Sequence, residues 1–321
     1  MQLSLFSHQE LPHEPDPAAH IRKPTALIEE AIPIFERYLL GAGKAQQTIS
    51  NFAGDIRQLA RYYPVRPLHT LVTADLQLFL GHLQRDHHLS EKTITRKITS
   101  FKSFFRFLSS IELVPYDVAA YLIYPALQPQ LPDILSDEEM TRLLDVTRST
   151  PLWHALTATL RYAGPKREEL LALQRADVDL PGRPPAVTLR RRRPSRYNRD
   201  RTVPIPDPLV GILDEYLKQL EGPYLFPLHV RSVQWGLSSY GKQAGITRPL
   251  SAQTLRDTYA VTWLKAHVPS ETEARTAAPG EAYGALVALH DRQLLELLGL
   301  ADHTAPATIA KYRGLAQPVG T

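Results

Sequence analysis

A mainly α-helical chain carrying one small antiparallel β-sheet is the fold class this sequence predicts, and three observations predict it. Apolar residues recur at three- and four-residue steps over most of the 321 residues. A break with four prolines, Pro115, Pro125, Pro129 and Pro132, separates two such stretches. Only one region, residues 176–206, reads as strands. The length suits two domains, and 43% apolar with 22% charged residues is enough to build real cores. The chain has no cysteine. That excludes disulfides, cysteine-ligated zinc, iron–sulfur clusters and a cysteine nucleophile. No apolar run approaches the ~20 residues of a membrane-spanning helix. The start, MQLSLFSHQELPHEP, lacks the basic segment of a secretory signal. The expectation is a soluble, cytoplasmic protein with no membrane contact.

Residues 1–24 are rich in Pro, His and Glu without periodicity and read as a flexible N-terminal arm. From Thr25, Leu27, Ile28, Ala31, Ile34, Phe35, Tyr38 and Leu39 form a helical stripe that Gly41–Lys44 ends. Thr48 is placed to cap a second helix running to about Tyr63. A third helix spans about Thr73–His87. The fourth, Ser90–Leu108, has its apolar stripe on Ile94, Ile98, Phe101, Phe105 and Leu108. Lys92, Arg96, Lys97, Lys102 and Arg106 are assigned to the opposite side. Residues 25–113 are thus a helical domain, 114–132 a Pro-rich linker and 133–321 a second domain.

The second domain opens with Ser136 and Glu139 spaced as a capping box. Ala176–Leu180 reads as a short strand, and 186–193 and 201–206 as two strands of a hairpin. After it only helical patterns return, over 207–220, 232–245, 251–267 and 292–300. Residues 268–289, rich in Ala, Glu and Pro, read as an inserted flexible loop.

The net charge is only +4, but its distribution is uneven. The segment 90–108 carries five basic residues against Glu91 alone, and 183–201 carries eight arginines against Asp200. Four consecutive arginines, Arg190, Arg191, Arg192 and Arg193, repel one another unless an anion sits among them. Phosphate is the natural one, because guanidinium is planar, always charged and bidentate. One basic element in each domain suggests a clamp around a polyanion.

The ordered segments LPDILSDEEMTRLL, YAGPKREELLALQRADVDL, RYNRDRTVPIP, LSAQTLRDTYAVTWL and LLELLGL followed by Tyr312 resemble the tyrosine recombinase, or phage integrase, family. The resemblance covers nearly the whole chain from about residue 25. It implies a helical SAM-like core-binding domain that grips DNA, followed by a catalytic domain. It also implies a chemistry. A tyrosine hydroxyl attacks a DNA phosphodiester to give a 3′-phosphotyrosyl link, and a 5′-hydroxyl of another strand reverses the step. No metal or other cofactor is needed if cationic side chains stabilise the transition state. The implied partner is double-stranded DNA, with self-association into dimers to tetramers upon it.

Carried onto this chain, the nucleophile is Tyr312 and the second family arginine is Arg256. The first family arginine falls at Lys166, which keeps the charge but loses the planar fork. The family's hairpin lysine falls at Arg196, or at Arg199 if the loop shifts, and arginine is a poor proton donor. Gln253 stands where the family has a histidine, and cannot transfer a proton at neutral pH. Asp257 and Leu300 stand at two further positions usually held by His, or by His or Trp. His303 is a stand-in only if the turn is remodelled. Arg190–Arg193, Arg199, Arg201 and the basic residues of 90–108 are the implied DNA contacts. Two readings follow: a site-specific strand-exchange enzyme, or a catalytically silenced DNA-binding member acting as regulator, architectural protein or partner of an active recombinase. A helical interaction protein with a solvated basic face is the reading that discards the resemblance.

Overall fold

The structure is a computed structural model that describes residues 25–126, 131–190, 200–267, 281–300 and 305–316. The chain divides into two compact units, Met1–Pro129 and Gln130–Thr321. The arm assigned to residues 1–24 lies outside the described residues.

Among its described residues the first unit has four α-helices: α1 (Ile28–Gly41), α2 (Gln46–Tyr62), α3 (Thr73–Arg85) and α4 (Glu91–Ser110). At the start of α1 the Glu30 carboxylate accepts from the Leu27 amide at 2.8 Å, and Ser90 Oγ accepts from the Thr93 amide at the start of α4. Helix α2 begins earlier than its capping pattern suggests. Ala45 is its boundary residue, so Thr48 lies inside the first turn and caps nothing. The apolar stripes meet in a core around Phe35, Ile56, Leu59, Phe79, Phe101 and Phe105. Aromatic pairs order it: Phe35 meets Phe104 edge-on at 5.2 Å, and Tyr38 stacks on Phe107 at 4.4 Å. Val114, Val118, Ala119 and Leu122 are buried in the same core. The chain just after Leu113 therefore belongs to the first core, although its prolines read as linker.

Lys97 corrects the expected solvated face of α4. It is 2% exposed. Its ammonium donates to Asp55 Oδ1 at 2.8 Å and to Gln58 Oε1 at 2.5 Å, both on α2. Ser100 Oγ and the Arg96 guanidinium also donate to the Asp55 carboxylate. A buried carboxylate requires a cation and hydrogen bonds around it, and α4 supplies them. Lys92 and Arg106 are exposed, and Arg96 remains partly so. Lys102 is half-buried with its ammonium 4.9 Å above the Tyr124 ring.

The second unit contains α5 (Asp137–Thr147), α6 (Pro151–Ala163), α7 (Arg167–Ala172), β1 (Val178–Asp179), β2 (Ala186–Leu189), β3 (Arg201–Pro204), α8 (Asp207–Lys218), α9 (Val230–Gln243), α10 (Ala252–His267), α11 (Glu281–Leu298) and α12 (Ala305–Ala316). The Ser136/Glu139 capping box is formed, with Ser136 Oγ accepting from the Glu139 amide and the Glu139 carboxylate from the Ser136 amide. The sheet is antiparallel in the order β1-β2-β3, with Val187 opposite Val203 and Leu189 opposite Arg201. Of the strand expected over 176–180, only Val178 and Asp179 pair, because Arg175–Asp177 is a 3-10 turn. Residues 281–289, expected as loop, are the first half of α11. Residues 268–280 lie outside the described residues.

Leu156, Leu160, Val187, Val203, Leu213 and Leu255 build the main core of this unit. A second cluster, with Tyr259, Leu264, Leu294, Leu298, Ile309 and Tyr312, joins α10, α11 and α12. Helix α10 is enclosed on nearly every side. Thr254, Leu255, Arg256, Asp257, Thr258 and Tyr259 are all buried. A charged pair inside such a helix is costly unless it is fully partnered, which directs attention to Arg256 and Asp257. No helix among the described residues is long and apolar enough to cross a membrane.

Candidate functional site

Helix α6 ends on Gly164, whose φ of 56° is the left-handed conformation that glycine adopts without penalty. There is also no room for a side chain. A Cβ at Gly164 would lie 2.3 Å from the Tyr259 ring. The tight turn brings the Gly164 carbonyl to the Arg256 guanidinium, which donates to it and to the Leu298 carbonyl at the end of α11. Two residues on, Lys166 is the boundary residue of α7. Its amide donates to Glu169 Oε2 at 2.8 Å, and its ammonium reaches the Gly299 carbonyl at 3.4 Å.

Arg201, at the start of β3, donates both terminal nitrogens to Glu169, at 2.9 and 2.8 Å, and its Nε to the Leu297 carbonyl at 2.7 Å. Three cations from three elements therefore meet three consecutive carbonyls, those of Leu297, Leu298 and Gly299. The end of a helix holds partial negative charge on its unpaired carbonyls, and cations gather there. Arg201 is spent in this way. Its side chain is only 10% exposed and it holds β3 to α7 and α11, so in this structure its charge is taken up by Glu169.

Tyr312, on α12, is 4% exposed. Its hydroxyl donates to Asp257 Oδ1 at 2.6 Å. Gln253, one turn before Asp257 on α10, donates its Nε2 to the same oxygen at 2.7 Å. Burial pushes the Asp257 carboxyl above the ordinary carboxylate range, against the opposing pull of the Tyr312 and Gln253 hydrogen bonds and the Arg256 charge. Burial and the neighbouring Asp257 charge push the Tyr312 phenol well above the ordinary phenol range. Tyr259 is pushed up to about 12, by burial.

Four of the five assigned site residues, Lys166, Gln253, Arg256 and Tyr312, are thus linked through Asp257 and the end of α11. Leu300 packs as an apolar residue against the cluster of α10, α11 and α12. Arg190 is partly exposed and donates to the buried Asp177. Arg191, Arg192, Arg193, Arg196, Arg199 and His303 lie outside the described residues. Two functional residues had no role assigned from the sequence, Asp257 and Glu169. Their signals were present: Asp257 lies four residues after Gln253, and Glu169 three after the helix-boundary Lys166.

The chain is a helical unit followed by a helical unit built around a three-stranded antiparallel sheet, with a lysine and two arginines at one helix end and a tyrosine hydroxyl on the residue after one of those arginines. The model of the phage integrase N-terminal SAM-like domain matches residues 32–110. A tyrosine recombinase of Thermosipho africanus is 26% identical over 247 residues, covering 73% of this chain and 85% of that protein. Tyrosine recombinase XerA of Thermococcus kodakarensis is 29% identical over 250 residues, covering 74% and 81%. The solved structure of a lambda integrase dimer bound to a COC' core site shares the fold, with a TM-score of 0.71 at 16% identity over 99% of this chain and 86% of that one. The chain is thus similar to tyrosine recombinases over about three quarters of its length and to the phage integrase SAM-like domain over residues 32–110.

Proposed function

We propose that the chain is a site-specific recombinase that cuts and rejoins double-stranded DNA through a 3′-phosphotyrosyl link on Tyr312. The observation that carries this reading is the seating of the Tyr312 hydroxyl on the residue that follows Arg256, in the unit where Lys166 and Arg256 meet adjacent carbonyls. In this reading Arg256 and Lys166 bind the scissile phosphate. A phosphodiester brings a full negative charge where the carbonyls offer partial ones, and charge-assisted bonds are the stronger. It therefore displaces the carbonyls of Gly164, Leu298 and Gly299 from these cations. Arg196 or Arg199 of the hairpin adds a third cation. The exchange is a transesterification, so the bond energy is kept in the phosphotyrosine and no cofactor is consumed.

Lys92, Arg96, Lys102 and Arg106 of α4, with Arg190 to Arg193 of the hairpin, are the proposed phosphate contacts, one set in each unit. Assembly on DNA is proposed to involve two to four copies; among proteins of the same fold, lambda integrase is solved as a dimer on a core site and as a tetramer on a Holliday junction. The cytoplasm is the proposed location. The relatives' names support the enzyme over a silenced binding protein.

The test begins by recovering the bound sequence from a pool of randomised duplexes. A nicked version of the recovered duplex then traps cleavage as a covalent protein–DNA adduct. The expected result is an adduct with the wild-type chain and none with Tyr312→Phe. A duplex that is bound tightly yet never forms an adduct overturns the reading in favour of a silenced member.

A further inference from the structure

Resting on the strand-exchange reading, we infer that the Asp257 carboxylate is the general base that takes the proton of Tyr312 during cleavage and returns it during rejoining. A phenol has one proton to donate, and at 2.6 Å it is donated to Asp257 Oδ1. That separation is within reach for direct proton transfer. The base is itself oriented, because Gln253 Nε2 donates to the same oxygen at 2.7 Å. Nucleophile, base and orienting group thus stand in a hydrogen-bonded row.

The charged and titratable surroundings fit this role. Helix α12 contributes Tyr312, and α10 itself contributes Arg256 and the neutral Gln253. Helix α6 presents the Gly164 carbonyl and α11 the Leu298 carbonyl, both to Arg256. Gln253 cannot titrate, and Arg256 never loses its proton. Asp257 is the group in this row able to receive one. Its carboxyl, raised by burial, is a better proton acceptor than an exposed aspartate.

The step balances as follows. The Tyr312 O–H proton passes to Asp257 Oδ1 while the phenol oxygen bonds to phosphorus. The bond from phosphorus to the 5′-oxygen breaks, and that oxygen takes a proton from water. In rejoining, a 5′-hydroxyl gives its proton back to the solvent hydroxide as its oxygen attacks phosphorus, the phenol oxygen leaves, and the Asp257 carboxylic acid returns its proton to that phenol oxygen. No atom changes oxidation state.

Asp257→Asn is the decisive variant, because Asn keeps an oxygen for both donors and cannot accept a proton. Using the full chain on the recovered, nicked duplex, the expected result is adduct formation slowed by roughly 10²–10⁴-fold. The wild-type rate should fall on the acid side as the carboxylate becomes protonated. This acid limb should vanish in Asp257→Asn and return, with part of the rate, in Asp257→Glu. If Asp257→Asn forms adduct as fast as wild type or faster, Asp257 is only an anchor and the inference fails. A slowed Asp257→Asn that keeps the wild-type acid limb also overturns it, since the loss is then one of geometry. Should Asp257→Asn fail to fold, the wild-type profile decides: without an acid limb the inference is wrong. A wild-type chain that binds the duplex and gives no adduct overturns the function itself, a separate result.

Discussion

Asp257 is a carboxylate 8% exposed to solvent, and its burial has a thermodynamic signature independent of catalysis. Its pKa in the folded chain lies above that of the unfolded chain, where an aspartate titrates near about 3.9. Below that value both states are protonated and no charge is buried. As pH rises through the raised folded value, the folded state has to bury a charge that the unfolded state leaves in water. The folded state then holds more protons than the unfolded one, so stability falls with rising pH. Asp257→Asn carries no such charge. Thermal melts of both proteins from about pH 4 upward should therefore show the wild type losing ground to Asp257→Asn. Parallel melting curves across that range would mean that the carboxylate is solvated as an ordinary surface group.

Among the elements, the Glu169 carboxylate ties β3 to α7. Glu169 receives both ends of Arg201 and the amide of Lys166. Removing it leaves a guanidinium 10% exposed without its carboxylate and frees the residue that starts α7. Breaking one half of a buried pair costs about 3–5 kcal/mol. Glu169→Ala should lower the unfolding free energy by that order in urea titrations, and an unchanged midpoint would show that Arg201 is solvated. This brace is also where the sequence stops being readable. The strands around 186–204 are legible, because short β-forming runs flank a polar turn. The partner of Arg201 is not, because it lies 32 positions earlier and an arginine in a run of arginines reads as a phosphate ligand. The first half of α11 was hidden by its composition: Ala and Glu next to Pro and Gly suggested a loop, although Ala and Glu are also good helix formers. The motif residues Lys166, Arg256 and Tyr312 were legible as types in order. That Lys166 and Arg256 meet at the end of α11, with Tyr312 on the residue after Arg256, was not, since it depends on Gly164 turning the chain and on separate elements converging.

For the whole molecule, affinity for DNA is a sum over phosphate contacts, and salt measures how many there are. Each neutralised phosphate contributes about 0.9 to the slope of log affinity against log salt. The charge pattern of α4 counts five cations, but the fold separates them. Lys92 and Arg106 are exposed, whereas Lys97 lies beneath the surface on Asp55 and Gln58. The full chain with Lys92→Ala and Arg106→Ala should keep its melting temperature and lose about 2 from the salt slope. Lys97→Met should do the reverse. It leaves a buried carboxylate short of a cation, which costs up to about 3–5 kcal/mol, moderated by the Arg96 and Ser100 hydrogen bonds that remain. Its salt slope, taken well below the melting temperature, should match that of the wild type. If Lys97→Met instead melts as the wild type does and loses about 0.9 in slope, then Lys97 faces DNA and the buried pair on Asp55 is broken in solution.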